Sequence, residues 1–175
     1  RYYDIFYSPY FAQGELIGVL GEAIDITDRK LAEEAVKKSE KKYKYLFESI
    51  IYGYAIHEII LDKETNEPID YRFLEMNKAF NDHTNIEAIT GLNREALIGK
   101  TVLEVLPDIE DYWIKAYGKV AILGKSIEFE APANSFGKHY HVVAFQNQPG
   151  QFAVIFSDIT DRKQAEEEIK KQLFE

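Results

Sequence analysis

Asp158-Ile159-Thr160-Asp161-Arg162-Lys163 closes a β-rich run and opens a charged helical one, and Asp25-Ile26-Thr27-Asp28-Arg29-Lys30 does the same earlier in the chain. The likeness runs on into Ala165-Glu166-Glu167, which follows Ala32-Glu33-Glu34 at the offset of the hexamers (165 − 32 and 158 − 25 both give 133). It also reaches upstream. Tyr140-His141-Val142 answers Tyr3-Asp4-Ile5, but lies 18 positions before its hexamer (158 − 140) rather than 22 (25 − 3), so its turn is shorter. A repeat of this kind indicates one type of domain in tandem, entered partway through the first copy.

Composition narrows what such a chain does. Its 175 residues leave room for one domain of roughly 110 residues plus flanking segments. A hydrophobic fraction of 46% and an aromatic fraction of 14% exclude general disorder. The net charge of −9 makes nucleic acid and anionic membranes poor partners. No run of 18 apolar residues exists, so no direct membrane insertion is expected. With 0 cysteines there is no disulfide, zinc–thiolate site or covalent cysteine-linked chromophore, and a cytoplasmic location is the expectation.

Along the chain, 2–10 and 15–26 read as two strands turned at Gln13-Gly14. From Arg29 to Ile50 the period changes. Ala32, Val36, Ser39, Tyr43, Leu46 and Ile50 form a heptad-like stripe, and Glu33–Lys37 and Glu34–Lys38 are i,i+4 pairs in the favourable order. That stripe makes parallel pairing into a homodimer the expectation, against a solvated linker helix. Residues 51–160 then read as one α+β domain, with strands at 54–61 and 69–76 around a polar turn. Asn77 is placed to cap the next helix. Short helices follow, then a longer one from Asp108 or Glu110 to near Gly124, with Trp113, Ile114, Tyr117, Val120, Ala121 and Ile122 on its apolar side. Strands at 126–132, 138–147 and 151–158 complete a five-stranded antiparallel sheet with helices on one face.

Three stretches carry a resemblance. Tyr71-Arg72-Phe73-Leu74-Glu75-Met76-Asn77-Lys78-Ala79-Phe80, then Leu97-Ile98-Gly99-Lys100, then the terminal hexamer, in this order and followed by a heptad helix, resemble the PAS domain family over about 43–163. Residues 1–28 resemble the C-terminal hairpin of an upstream PAS domain. The resemblance implies a linker (signalling) helix over 29–50, a complete PAS domain over 51–160 and the start of an exit signalling helix over 161–175. It also implies a sensory and dimerisation module that relays a conformational change to an output domain beyond Glu175. The parent would often be a sensor histidine kinase of a two-component system or a diguanylate cyclase, and could be membrane-attached.

Candidate site residues follow from both lines of reasoning. Alternation in Tyr54–Ile60 puts Ala55, His57 and Ile59 on the side away from Glu58, so His57 faces inward. It is either a core histidine satisfied by one hydrogen bond or a pocket residue. His57-Glu58 superficially resembles a phosphoacceptor pair, but its strand-like setting disfavours phosphorylation. The cavity that the resemblance implies would be lined by His57, Phe80, Trp113, Tyr117, Phe129 and Tyr140, unless these aromatics simply fill the core. A small-molecule ligand is the open partner. In haem-bearing relatives the iron ligand projects from the helix before the last three strands. Residues 108–125 contain no histidine, so haem is disfavoured, and His139 with His141 is too small a set for a metal. The signal junction is Asp158, Thr160, Asp161 and Arg162, with Thr160 or Asp161 capping the helix and Gln164 completing a capping box. No carboxylate pair, nucleophile–base set or phosphate-cradling loop is present, so the expected function is non-catalytic. Two alternatives stay open: a passive dimerisation spacer without ligand, and a haem- or flavin-binding receptor.

Overall fold

A computed structural model describes residues 1–174, in two compact units, Arg1–Phe47 and Glu48–Glu175. In the first, β1 (Tyr3–Ala12) and β2 (Glu15–Asp25) form an antiparallel hairpin. Gln13 and Gly14 make the turn with φ of 52° and 87°. Positive φ at both central residues matches the right-handed twist of the flanking strands, and Gly14 adopts it without a Cβ penalty. The hairpin leads into α1 (Thr27–Ser49). Val36, Tyr43 and Leu46 of the heptad stripe are exposed, and Ile50 follows the helix end.

The second unit is built on one sheet. Its strands are β3 (Gly53–Leu61), β4 (Pro68–Met76), β5 (Ile127–Ala133), β6 (Lys138–Gln148) and β7 (Gln151–Asp158). They pair in the order β4-β3-β7-β6-β5, antiparallel throughout. Between β4 and β5 the chain makes α2 (Lys78–Thr84), α3 (Ile86–Thr90), α4 (Arg94–Leu97), α5 (Val102–Val105) and α6 (Asp111–Leu123). The last described element is α7 (Thr160–Phe174), so of the expected exit helix only Glu175 lies outside the described residues.

Period-2 burial sorts the two faces of the sheet. Ala55, His57 and Ile59, Tyr71 and Phe73, Tyr140, Val142 and Ala144, and Phe152, Val154 and Phe156 are buried with the helices. Ile56, Val143 and Ile155 on the opposite face are half-buried. The fold is α+β with a five-stranded antiparallel sheet, as expected.

Two details of α6 differ from the expected apolar face. Ile122 is 47% exposed, while Trp113, Ile114, Tyr117, Val120 and Ala121 are buried. Nine residues at about 100° each place Ile122 diametrically opposite Trp113. Gly118 takes the inward position instead, and a Cβ there would sit 2.1 Å from Pro68 Cγ. The glycine lets α6 approach β4 closely. A Cβ would strain the contact, because a proline ring cannot rotate aside.

Candidate functional site

The helices leave a half-open cavity of about 60 Å³ against the sheet. His57, Phe80, Trp113, Tyr117 and Tyr140 line it, together with Tyr71, Phe73 and Phe156. Phe129 is half-buried and stands behind Trp113, with ring centroids 5.5 Å apart, rather than on the lining. Tyr71 and Phe73 were absent from the expected set, although Tyr71-Arg72-Phe73 shows the strand alternation that aims both rings inward.

His57 enters the cavity wall from a bulge. Ile56 pairs with Glu75 but His57 pairs with Phe73, so Leu74 is the extra residue on β4. The imidazole stacks on Phe152 at 4.9 Å and meets Tyr71 at 5.0 Å and Phe73 at 5.2 Å. It is 2% exposed, and its Nδ1 has no hydrogen-bond partner among the described residues. The satisfied core histidine of the first alternative is therefore not what forms. Burial pushes the ring's pKa down to about 3, so it is neutral at pH 7. Burial likewise raises the phenols of Tyr71 and Tyr117, which stay protonated.

The other polar groups of the wall are already engaged. Trp113 Nε1 donates to Glu110 at 3.2 Å, Tyr140 donates to the His83 carbonyl at 3.0 Å, and Thr84 donates to the Phe80 carbonyl at 2.7 Å. His141 pairs with Glu128 at 2.8 Å, and no group of three or more metal-ligating side chains occurs among the described residues. No helix among those residues is long and apolar enough to cross a membrane.

Asn77 holds the cavity's floor in place. Fully buried, it accepts from Tyr54 N at 2.9 Å and, as the expected helix cap, from Phe80 N at 3.0 Å. Its amide donates to Tyr52 O at 3.0 Å. One side chain thus joins the start of β3 to the helix that carries Phe80.

The junction after β7 is tied at three points. Asp158 Oδ1 accepts from Thr160 N at 3.0 Å, so Asp158 caps α7 rather than Thr160 or Asp161. Thr160 Oγ1 instead accepts from His139 N at 3.0 Å, fastening the helix start to β6. Asp161 is exposed, and neither its side chain nor that of Gln164 makes a hydrogen bond or ion pair among the described residues, so the expected capping box does not form. The helix begins one residue earlier than expected, which shifts every cap position. Glu130 of β5 makes the third tie, reaching Arg162 at 2.6 Å and Lys163 at 2.8 Å.

The first hexamer repeats this geometry within its own unit. Tyr3 pairs with Asp25 as Tyr140 pairs with Asp158. Tyr2 N donates to Thr27 Oγ1 at 2.9 Å, and Thr27 N to Asp25 Oδ1 at 2.9 Å. The sequence repeat is a repeat of hydrogen bonds.

Acid is expected to loosen the second junction. Hydrogen bonds from Lys163 and then Arg162 hold the Glu130 carboxyl below its ordinary 4.5, at about 2. A depressed pKa means the tie is fully present above about pH 4.5 and is lost as pH falls through about 2. Protection factors for the Gln164 and Ala165 amides should drop across that window. Glu130→Gln should give lower, pH-independent protection; unchanged protection in that variant would show the tie idle.

No protein-family model and no curated protein matches the chain. Solved structures do. It is similar to a domain of a sensory box sensor histidine kinase/response regulator from Geobacter sulfurreducens, at 17% identity over 70% of this chain and 96% of that one, with a TM-score of 0.45. A domain of an HTR-like protein from Haloarcula marismortui aligns at 17% identity over 63% and 100%, with a TM-score of 0.41. The PAS domain of Bordetella pertussis BvgS aligns at 14% identity over 77% and 96%, with a TM-score of 0.38. The antiparallel order β4-β3-β7-β6-β5, the helical crossover between β4 and β5, and a strand that runs straight into a capped helix give Gly53–Asp158 a PAS-like fold.

Proposed function

We propose that this chain is a non-catalytic sensory module, in which occupancy of the cavity shifts the sheet and the exit helix carries that shift to an output domain. One observation carries the reading: the strands that wall the cavity are the strands that hold α7. Tyr140, Val142, Val154 and Phe156 line the cavity from β6 and β7, and the same two strands supply His139 and Asp158 to the junction. A sub-ångström change at the wall therefore reaches the helix start through three short bonds rather than through flexible chain. Residues 1–28 are read as the end of a second domain of this kind, on the strength of the repeated register and cap.

The test is helix phase. With an output domain following α7 in the same chain, one residue inserted after Lys163 turns everything downstream by about 100°, while seven nearly restore the original face. Output should be abolished or locked by the first insertion and kept by the second. Equal output from both would reduce the helix to a tether. The smallness of the cavity favours one rival, a ligand-free dimerisation spacer, which predicts that equality.

Dimerisation belongs to the same proposal. Val36, Tyr43 and Leu46 present an exposed apolar stripe along α1, continued by Ile50. Changing Leu46 and Ile50 to Asp would place charge in the seam between two copies, where it is poorly solvated. Sedimentation should then show monomer where the parent chain shows dimer; a parent that is already monomeric overturns the seam.

A further inference from the structure

Three polar side chains from three different elements line the cavity. His57 Nδ1 of β3 is buried and lacks a partner among the described residues. The Tyr71 hydroxyl of β4 and the Tyr117 hydroxyl of α6, whose rings stand 5.8 Å apart, also have none there. Buried polar atoms are ordinarily satisfied, and the orphan His57 Nδ1 costs free energy that a leucine or phenylalanine at the same position would not. The other polar side chains of the wall point their bonds into the protein, as described above. These three do not.

The wall also has a charge signature. It contains no Asp, Glu, Lys or Arg, so an ion entering it would lose its hydration without a counter-charge. The imidazole is neutral at pH 7 and offers one donor and one acceptor nitrogen; a phenol hydroxyl offers both roles. Size sets the last limit. A cavity of about 150 Å³ takes the six heavy atoms of benzene, so one of about 60 Å³ encloses about two or three, and its open side leaves room for a fourth.

We propose that the cavity takes a small uncharged molecule with a carboxamide or hydroxyl group, held by the His57 imidazole and the hydroxyls of Tyr71 and Tyr117. This deepens the sensory reading above and rests on it. The aromatic walls cover the ligand's apolar part, and the three polar groups set its orientation.

Acetamide is the probe, with acetate as the anionic isostere and ethylammonium as a cation of similar size. The readout is the imidazole ¹⁵N resonances of the uniformly labelled whole chain. Acetamide should shift the His57 resonances saturably, with a Kd between about 0.05 and 50 mM, the range open to a ligand of about four heavy atoms. Acetate and ethylammonium should bind about tenfold more weakly or not at all, and the His141 resonances should stay put. His57→Phe should weaken acetamide binding by about tenfold. If that variant does not fold, Tyr117→Phe removes one hydroxyl and nothing else, and should weaken binding by about threefold to tenfold.

Absence of a saturable His57 shift, equal binding of acetate, tighter binding of ethylammonium, or undiminished acetamide binding in the foldable variant overturns the proposal. The insertion experiment separates this from the sensory reading. Phase-dependent output without acetamide binding leaves the relay standing and removes the ligand class. Acetamide binding with phase-independent output leaves the ligand class and removes the relay.

Discussion

Trp113→Ala is expected to lower the stability of the sheet-containing unit by about 3–5 kcal/mol, the range for deleting a buried indole. Trp113 is 4% exposed and lies among Tyr112, Tyr117 and Phe129, with centroids at 4.8, 5.8 and 5.5 Å. Two effects add. The lost contacts leave a void beside an existing cavity, and the wall has few mobile groups to fill it. The lost indole N–H also frees Glu110, which holds the loop after β5 by accepting from Asn134 N at 2.7 Å. Trp113→Phe keeps a six-membered ring in place and removes the N–H with the rest of the five-membered ring; it should cost less than the alanine, about 1–3 kcal/mol. Urea unfolding measures both. Indole added to Trp113→Ala should recover part of the loss by binding the enlarged void. A loss within about 1 kcal/mol for Trp113→Ala would mean the inward face of α6 is wrongly drawn.

How much of this was legible in the sequence depends on the range of the signal. Alternation in Tyr54–Ile60 was enough to turn His57 inward, because a half-buried strand repeats every two residues. The bulge at Leu74 was not legible. It changes which residue faces His57 without leaving a local pattern in β4. Five of the six proposed lining residues share one cavity, since apolar periodicity reports the buried side of an element. Periodicity says nothing about what an element leaves unfilled, so the cavity's size and the unsatisfied polar groups on its wall emerge only from packing. Gly118 was invisible for a related reason: an apolar scale weighs side chains, and the closest approach of α6 to the sheet depends on having none.

The junction shows the same divide. Its hexamer announced a strand-to-helix change because Asp, Thr and the following charges all suit a helix start. Which oxygen caps which amide depended on the starting residue, and a shift of one position moved the cap from Thr160 or Asp161 to Asp158. Glu130 lies 32 residues from Arg162 and in a different element, so no spacing rule connects them.

Asn77→Ala is expected to cost about 2–4 kcal/mol, and the reason is counting rather than size. The side chain is fully buried and serves two backbone donors, the part-buried Tyr54 N and the buried Phe80 N. Removing it takes this acceptor from Tyr54 N, at about 1–3 kcal/mol before relaxation, and leaves Phe80 N only the Asn77 backbone carbonyl at 3.2 Å, a lost helix cap of about 0.5–2 kcal/mol. The methyl group that remains offsets little, since it accepts no hydrogen bond. Asn77→Asp tests the pattern itself. It keeps two acceptor oxygens for the two amides but turns a carboxylate oxygen toward the Tyr52 carbonyl, 3.0 Å from the present amide nitrogen. That contact is repulsive when the carboxyl is ionised and a hydrogen bond when it is protonated. The folded pKa of the new carboxyl is therefore raised above its unfolded value of about 3.9. By linkage, the destabilisation of Asn77→Asp should be smallest below about pH 4 and grow as pH rises toward neutrality. The cost of Asn77→Ala should not vary over the same range. Chemical denaturation at several pH values measures both slopes. A flat Asn77→Asp profile, or an Asn77→Ala cost below about 1 kcal/mol, would show that β3 and α2 are joined by something other than this side chain.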